Sequence, residues 1–443
     1  MSNGARGPSD AVADDPARWA AVDQPAARAH FDATAGAHSV WREVFEQAEA
    51  IFGGAEVPPA EFASWLHFAA TVLGHDAYAA RIAAAEPGMP WRTVWAWWRP
   101  AGRCVAQPER LTEYEAAFYE CGGRTPCCTS RPRTTPGSCW TWRPAYGSRR
   151  RPPQTSVLRR RPAVVGATAR PSATSGCPHP EAWAYADPLP APDGRTWHLV
   201  QHDAHGLALL ETDPVVLRDW PRGGIDHTSA EEGMPGRVPF LPPSAEPLTA
   251  SRVDAAFAPA PVVRFPEEAL PAGLRDSAAR AFLREVGLPK QWRSYKADFV
   301  LRPEDEPAEV DESAVAGVRL PDGTVAADLL ALGRSVHGAL YLHRHDGTVH
   351  IAASSASLGE PGPVLVELAP GLEVFTRCLE AVRRYLSAVS APYPGEPDMT
   401  EVFAAEMDAL APGLLDPETP RGVLWSHFTW ALTEGDGDLF RLP

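Results

Sequence analysis

Lysine is almost missing from this chain. Of its 41 basic residues only Lys290 and Lys296 are lysines, so arginine carries the positive charge. No apolar run approaches the ~18 residues that a membrane-spanning helix needs, which excludes a helical spanning protein. The first residues, MSNGARGPSDAVADDPARW, are polar and acidic with no apolar stretch, so no secretory signal is read and the expected location is cytoplasmic. There is no G-x-S-x-G, no H-E-x-x-H, no P-loop and no Rossmann glycine pattern, which removes several enzyme chemistries that sequence can reveal. A net charge of −15 argues against a general nucleic-acid binder and suits a basic partner.

At roughly 100–200 residues per domain, 443 residues imply two to three domains. Apolar residues at 44 % and charged residues at 22 % are ordinary globular values. Residues 121–180 depart from this pattern. They contain no Asp, Glu or Lys, but eleven Arg, ten Pro and five of the seven Cys, so the rest of the chain carries −26. This stretch has neither helical nor strand period, and residues 122–180 are expected to be disordered. Three readings fit it. One is a basic linker for nucleic acid. Another is a zinc site from Cys121, Cys127, Cys128 and Cys139, although C-x5-C-C-x10-C lacks the usual close pairs. The third is a frameshift in a GC-rich gene. With GC-ending codons, Ser138–Ala145 read in another phase gives Val-Leu-Asp-Leu-Ala-X-Gly, an ordinary strand and turn.

Before this segment, residues 1–25 read as a loose tail and 26–121 as helices followed by a Trp-rich strand. Ser39–Phe52 has Val40, Val44, Phe45 and Ala48 at helical spacing, stopped by Gly53-Gly54. Pro59–Leu73 places Phe62, Trp65, Leu66 and Ala69 on one face, and Asp76–Ala85 is a third helix. In WRTVWAWW, residues 91–98, Trp91, Thr93, Trp95 and Trp97 alternate with their neighbours as a strand would. Core packing is the plain reading of these tryptophans, and a stacking platform is the alternative. Residues 181–240 read as a β region with strand, turn and strand over 193–213. His198, His202 and His205 have H-x3-H-x2-H spacing there, but a strand entering a turn need not bring them together. Residues 241–275 read as a Pro-rich linker.

Residues 276–443 read as an α+β domain: a helix, an antiparallel meander, then helices. Asp276–Val286 is amphipathic, with Asp276 at the N-cap and Gly287 suited to the left-handed cap. Strands are expected at 297–301, 328–333, 339–342, 348–352 and 363–368, with a tight turn at His345-Asp-Gly347. Helices are expected at 372–389, 398–410 and 421–433. His337, His343, His345 and His350 lie in or beside the hairpin, with no carboxylate or cysteine placed to complete a ligand set. Cys378 reads as a small core residue rather than a nucleophile.

The runs AFLREVGLP (281–289), LLALGRSVHGALYLHRHDGTVHIA (329–352), PGLEVFTRCLEAVRRYL (370–386) and WALTEGDGDLF (430–440) resemble the SUKH superfamily. The likeness is greatest to its fourth, actinobacterial subgroup of immunity proteins, over roughly residues 273–443. Their order and spacing carry the resemblance. Leu368-Ala-Pro-Gly371 replaces a polar approach to the long helix, and the insert around Glu304–Val318 is long and acidic. The resemblance implies a non-enzymatic protein, with no catalytic, cofactor or metal residues. Its implied partner is a cognate secreted toxin domain, often a basic nuclease, encoded beside it. No direct contact with nucleic acid or membrane is implied. From charge, candidate partner-binding residues are Glu304, Asp305, Glu306, Glu309, Asp311 and Glu312, with Glu434, Asp436 and Asp438 in the tail. A solvated loop or tail is the plainer explanation of either acidic patch taken alone. A binding scaffold without a toxin partner, or an enzyme housed in residues 25–250, are the other function classes.

Overall fold

The computed structural model describes residues 24–33, 39–52, 57–105, 114–121, 124–132, 159–160, 189–190, 194–202, 206–212, 240–241, 246–257, 260–293, 298–301, 308–310, 312–321, 323–354, 358–359, 361–390, 392–393 and 395–433. Two compact units divide the chain. The first takes residues 1–103, 110–241 and the short return segment 393–396; the second takes 104–109, 242–392 and 397–443. No helix among the described residues is long and apolar enough to cross a membrane.

The first unit opens with four helices: α1 Gln24–Ala33, α2 Val40–Phe52, α3 Pro59–Val72 and α4 Asp76–Ala85. The last three fall where apolar spacing placed them. The α1 helix was not expected, because Ala27 and Phe31 are its only buried apolar residues. Pro59 begins α3, where its missing N–H does no harm. These helices pack on β1 (Trp91–Trp98), which belongs to a sheet ordered β1-β7-β6-β5. Its other strands are β5 (Leu189–Pro190), β6 (Thr196–His202) and β7 (Gly206–Thr212). The strand–turn–strand expected at 193–213 is therefore present, as β6 paired antiparallel with β7.

The two-residue alternation expected along β1 does not hold throughout. A bulge between Thr93 and Trp95 inserts one residue against β7, and Val94 is left exposed. Beyond it, Ala96 and Trp98 pack on the core. Trp91 meets Trp65 edge-on at 5.3 Å, and Trp98 meets Phe68 at 5.4 Å. The core reading holds for Trp91 and Trp98. Arg99, fully buried, forms a forked ion pair with Glu396 at 2.7 and 3.1 Å, and Glu396 also accepts the Gly102 N–H at 2.6 Å.

Within residues 122–180, two stretches are strands. β3 (Arg124–Pro132) and β4 (Arg159–Arg160) flank β2 (Tyr114–Cys121). The expected lack of regular structure thus does not extend to these two pieces. Backbone pairing tolerates a sequence with Thr, Cys and Arg and without period. The rest of 122–180 lies outside the described residues.

The second unit is an α+β layer, as the sequence pattern implied. Its strands are β8 (Val262–Val263), β9 (Leu288–Pro289), β10 (Gln291–Arg293), β11 (Asp298–Leu301), β12 (Ala308–Glu309), β13 (Leu329–Ser335), β14 (Gly338–His343), β15 (Val349–Ala353) and β16 (Val364–Ala369). The main sheet runs β10-β11-β13-β14-β15-β16, with β12 also paired to β13; all its pairings are antiparallel. Its helices are α5 (Ala250–Ala256), α6 (Ser277–Glu285), α7 (Leu372–Ser390), α8 (Met399–Leu410) and α9 (Pro420–Thr433).

Alternation along the strands gives the sheet two buried faces. Leu340, Leu342, Val349 and Ile351 point to one side, where the core continues through Phe375, Leu379, Trp425 and Phe428. Trp292 donates its indole N–H to the Leu379 carbonyl at 3.1 Å, and Trp425 donates to Leu368 at 2.9 Å. Cys378 is fully buried and its thiol pKa is raised by burial, which suits a packing residue.

Two local devices set the entry to this sheet. Asp276 caps α6 by accepting the Ala279 N–H at 2.6 Å. Gly287 ends it at φ +86°, and a Cβ there would meet the Val263 carbonyl oxygen at 2.5 Å. The α5 helix lies within the stretch read as a linker. It is tied to α7 by Arg252, which forks onto Glu380 at 3.1 and 2.9 Å, and Glu380 also holds Arg384.

Candidate partner-binding corner

The outer face of the main sheet carries Leu329, Ala331, Ala339, Tyr341, Ala352 and Leu365, positions that alternate with the inner set. Left bare, this face would be an exposed apolar patch. The acidic insert covers it. Val310, Val315, Val318 and Leu320 pack against it, and the Tyr341 hydroxyl donates to the Ala314 carbonyl at 3.4 Å. Arg319 and Leu365 close the strap through backbone bonds of 2.9 Å to Pro363 and 3.0 Å from Leu365. The insert is thus half apolar lid and half acidic surface.

Its acidic residues divide accordingly. Glu309 lies on β12, largely exposed, and pairs with Arg344 in the β14–β15 turn. Glu312 opens a 3₁₀ turn (Glu312–Val315) and is exposed. Glu304, Asp305, Glu306 and Asp311 lie outside the described residues, as do Glu434, Asp436 and Asp438.

The β14–β15 turn is held firmly. Arg344 N–H donates to the Asp328 carbonyl at 2.8 Å, and the Arg344 carbonyl accepts from Arg275 at 2.7 Å and Asp276 at 3.2 Å, at the start of α6. Gly347 sits at φ +73°, where a Cβ would meet the Asp276 carboxylate at 2.7 Å. Asp346 organises the turn. Its Oδ1 accepts the Thr348 N–H at 3.0 Å, the Thr348 hydroxyl at 2.8 Å and His343 Nδ1–H at 2.7 Å. Burial works to raise the Asp346 pKa, but these bonds outweigh it and hold the carboxyl below its usual range. The Val325 N–H, and then His345 against partial burial, do the same for Asp328.

Because the Thr348 hydroxyl is committed to Asp346, His350 must donate Nε2–H to it, across 2.7 Å. His350 Nδ1 is then a buried acceptor with no hydrogen bond. Burial, aided by the charge on His343, pushes the His350 pKa down to about 4, so the ring is neutral at pH 7.

Two of the hairpin histidines have carboxylate neighbours that the sequence did not show. His343 meets Asp346, and His345 Nε2 lies 3.2 Å from Asp328 Oδ1. The signal was present as the run His343-Arg-His-Asp346, but the turn geometry that folds Asp346 back was not readable. These are hydrogen-bonded pairs. Among the described residues no group of three or more His, Cys, Asp or Glu could hold a metal ion. His337 does not join them; it stacks on His427 of α9 at 4.6 Å. Of the earlier histidine triplet, His198 and His202 lie on β6 and His205 falls outside the described residues.

The corner presents four carboxylates (Glu309, Glu312, Asp328 and Asp346) on a scaffold of tied turns, with Arg344 as the described cation that braces it. A rigid array of this sign meets a basic surface with little reorganisation.

The second unit is an α+β domain whose corner carries this array of carboxylates. The family model described as SUKH-4 immunity protein matches residues 248–421, the C-terminal part of the chain. The match starts at α5 and ends at the first residues of α9, so it spans the sheet, the strap and the α7 core. No curated protein and no solved structure matches the chain.

Proposed function

We propose that this chain is an immunity protein that binds a cognate toxin domain and blocks it without performing chemistry. The observation that carries the reading is the family match over residues 248–421, which by itself supports an immunity-protein role. The finer proposal names the partner as a nuclease. An enzyme that grips a polyanion carries a basic surface, and a chain of net charge −15 with a carboxylate-lined corner complements it. Glu309 and Glu312 form the described part of the contact. Glu304, Asp305, Glu306, Asp311, Glu434, Asp436 and Asp438 extend it in this proposal.

The test is survival. The full chain is co-expressed with the C-terminal domain of each secreted toxin encoded beside it. Rescue by one of them supports the proposal. A chain that accumulates normally and rescues against none of them overturns it.

A further inference from the structure

Two imidazoles stand inside the acidic corner. The end of β14 and the turn after it set His343 Nδ1 at 2.7 Å from Asp346 Oδ1 and His345 Nε2 at 3.2 Å from Asp328 Oδ1. The centres of the two rings are 5.6 Å apart, and His350 lies 6.1 Å from His343. Each of the two pairs thus ties one carboxylate of the array to a histidine. Histidine is the side chain whose ordinary charge change falls between pH 5 and 8. Protonation turns each pair into an ion pair while its hydrogen bond stays.

Every element packed around the pair brings charge. Glu309 comes from β12 and Glu312 from the 3₁₀ turn. Asp328 comes from the residue before β13, and Asp346 and Arg344 from the β14–β15 turn. The start of α6 adds Arg275 and Asp276, whose signs cancel. On β15, His350 stays neutral in mild acid, because burial, aided by the charge on His343, pushes its pKa down to about 4. The Val325 N–H holds the Asp328 carboxyl below its usual range; against burial, the Thr348 and His343 bonds do the same for Asp346. In mild acid the acids of the corner therefore keep their charge, and the sum is set by His343 and His345.

With both of these rings neutral, four carboxylates against the Arg344 guanidinium leave −3, and two protons bring the corner to −1. The two rings and their carboxylates lie within the screening length of ~8 Å at physiological salt, so a cation seated among them feels the change.

We propose that His343 and His345 make the corner a proton-controlled cation site, which holds a basic protein surface at neutral pH and above and releases it in mild acid. This rests on the reading of the corner as the partner-binding surface.

The test is histidine-ring NMR of the isotope-labelled full chain at pH 7.5 and pH 5.5, with deca-arginine as the basic probe. His343→Gln and His345→Gln assign the two signals. At pH 7.5 the peptide is expected to move both signals saturably, and at pH 5.5 its affinity should be weaker by roughly tenfold. Fluorescence titration of labelled peptide into the double variant should show that drop reduced to about threefold or less, because glutamine keeps the hydrogen-bonding groups and cannot take up the proton. If the double variant does not fold, each single variant should reduce the drop in part. Three results overturn the proposal: both signals unmoved by peptide at pH 7.5, equal affinity at the two pH values, or the parent's full drop in the variants. The probe is not the toxin, so a failure of toxin rescue strikes the immunity reading and leaves these outcomes standing.

Discussion

The Arg344 guanidinium, in the β14–β15 turn, pairs with the Glu309 carboxylate on β12, and so fixes one end of the acidic strap to the sheet that it covers. The pair is largely exposed on the Glu309 side, so it adds at most about 1 kcal/mol to stability. In the proposed function its value is in position: it holds carboxylates where the toxin domain meets them. Reversing charge should therefore damage recognition and spare the fold. Glu309→Lys with Glu312→Lys is expected to slow association with the toxin domain by roughly tenfold at low salt, with the difference shrinking as salt is added. Stopped-flow association rates at several ionic strengths check this, beside a melting temperature within a few degrees of the parent.

Acid should destabilise the chain earlier than its carboxylates alone would. His350 titrates near 6.5 when unfolded and near 4 when folded, so the neutral ring is favoured in the fold. Its contribution is complete above pH 6.5 and is lost as the pH falls toward 4. At about 1.4 kcal/mol per pKa unit, the loss reaches roughly 3 kcal/mol. His67 in the first unit, also buried with its pKa pushed down to about 4, follows the same sign. The Asp328 and Asp346 contributions disappear only at lower pH, because their folded pKa values lie below the usual range. Urea unfolding between pH 7 and pH 4.5 measures the slope, and His350→Leu and His67→Leu should each flatten it.

Gly287 is a place where one methyl group matters. At φ +86°, with a Cβ only 2.5 Å from the Val263 carbonyl oxygen, Gly287→Ala is expected to cost about 1–3 kcal/mol. A thermal melt showing no loss would mean that the α6 cap is not as tight as described.

The buried Arg99–Glu396 pair in the first unit should show the asymmetry of internal ion pairs. Arg99→Met alone leaves the Glu396 carboxylate desolvated, with only the Gly102 and Tyr393 N–H groups as partners, and is expected to cost about 3–5 kcal/mol. Combining it with Glu396→Met should recover part of that loss. A double-mutant cycle by chemical denaturation measures the recovery.

Much of the second unit was readable in the sequence because its signals are local. Asp276, the Ala279–Phe282–Leu283 face and Gly287 define α6 without help from the rest of the chain. The long apolar stripe through Phe375, Leu379 and Val382 does the same for α7. The α5 helix escaped notice because proline surrounds it and only Val253 and Ala256 within it are buried. The β1 bulge at Val94 was invisible because a bulge is defined by its partner strand. At the corner, the sequence displayed the acids of the strap but not the function of Val310 and Val315 among them. That depends on an apolar outer sheet face, and only the strand register reveals it. The closeness of Asp346 to His343 depended on turn geometry in the same way.

The most direct test of immunity by binding is a stoichiometric one. The purified full chain is titrated into a fixed amount of the cognate toxin domain while the toxin's activity is followed. Loss of activity that is complete at one chain per toxin, and that returns when the complex is dissociated, is the predicted result. No inhibition, or inactivation by far less than one equivalent with the toxin remaining inactive after separation, would contradict the account and point to chemistry instead.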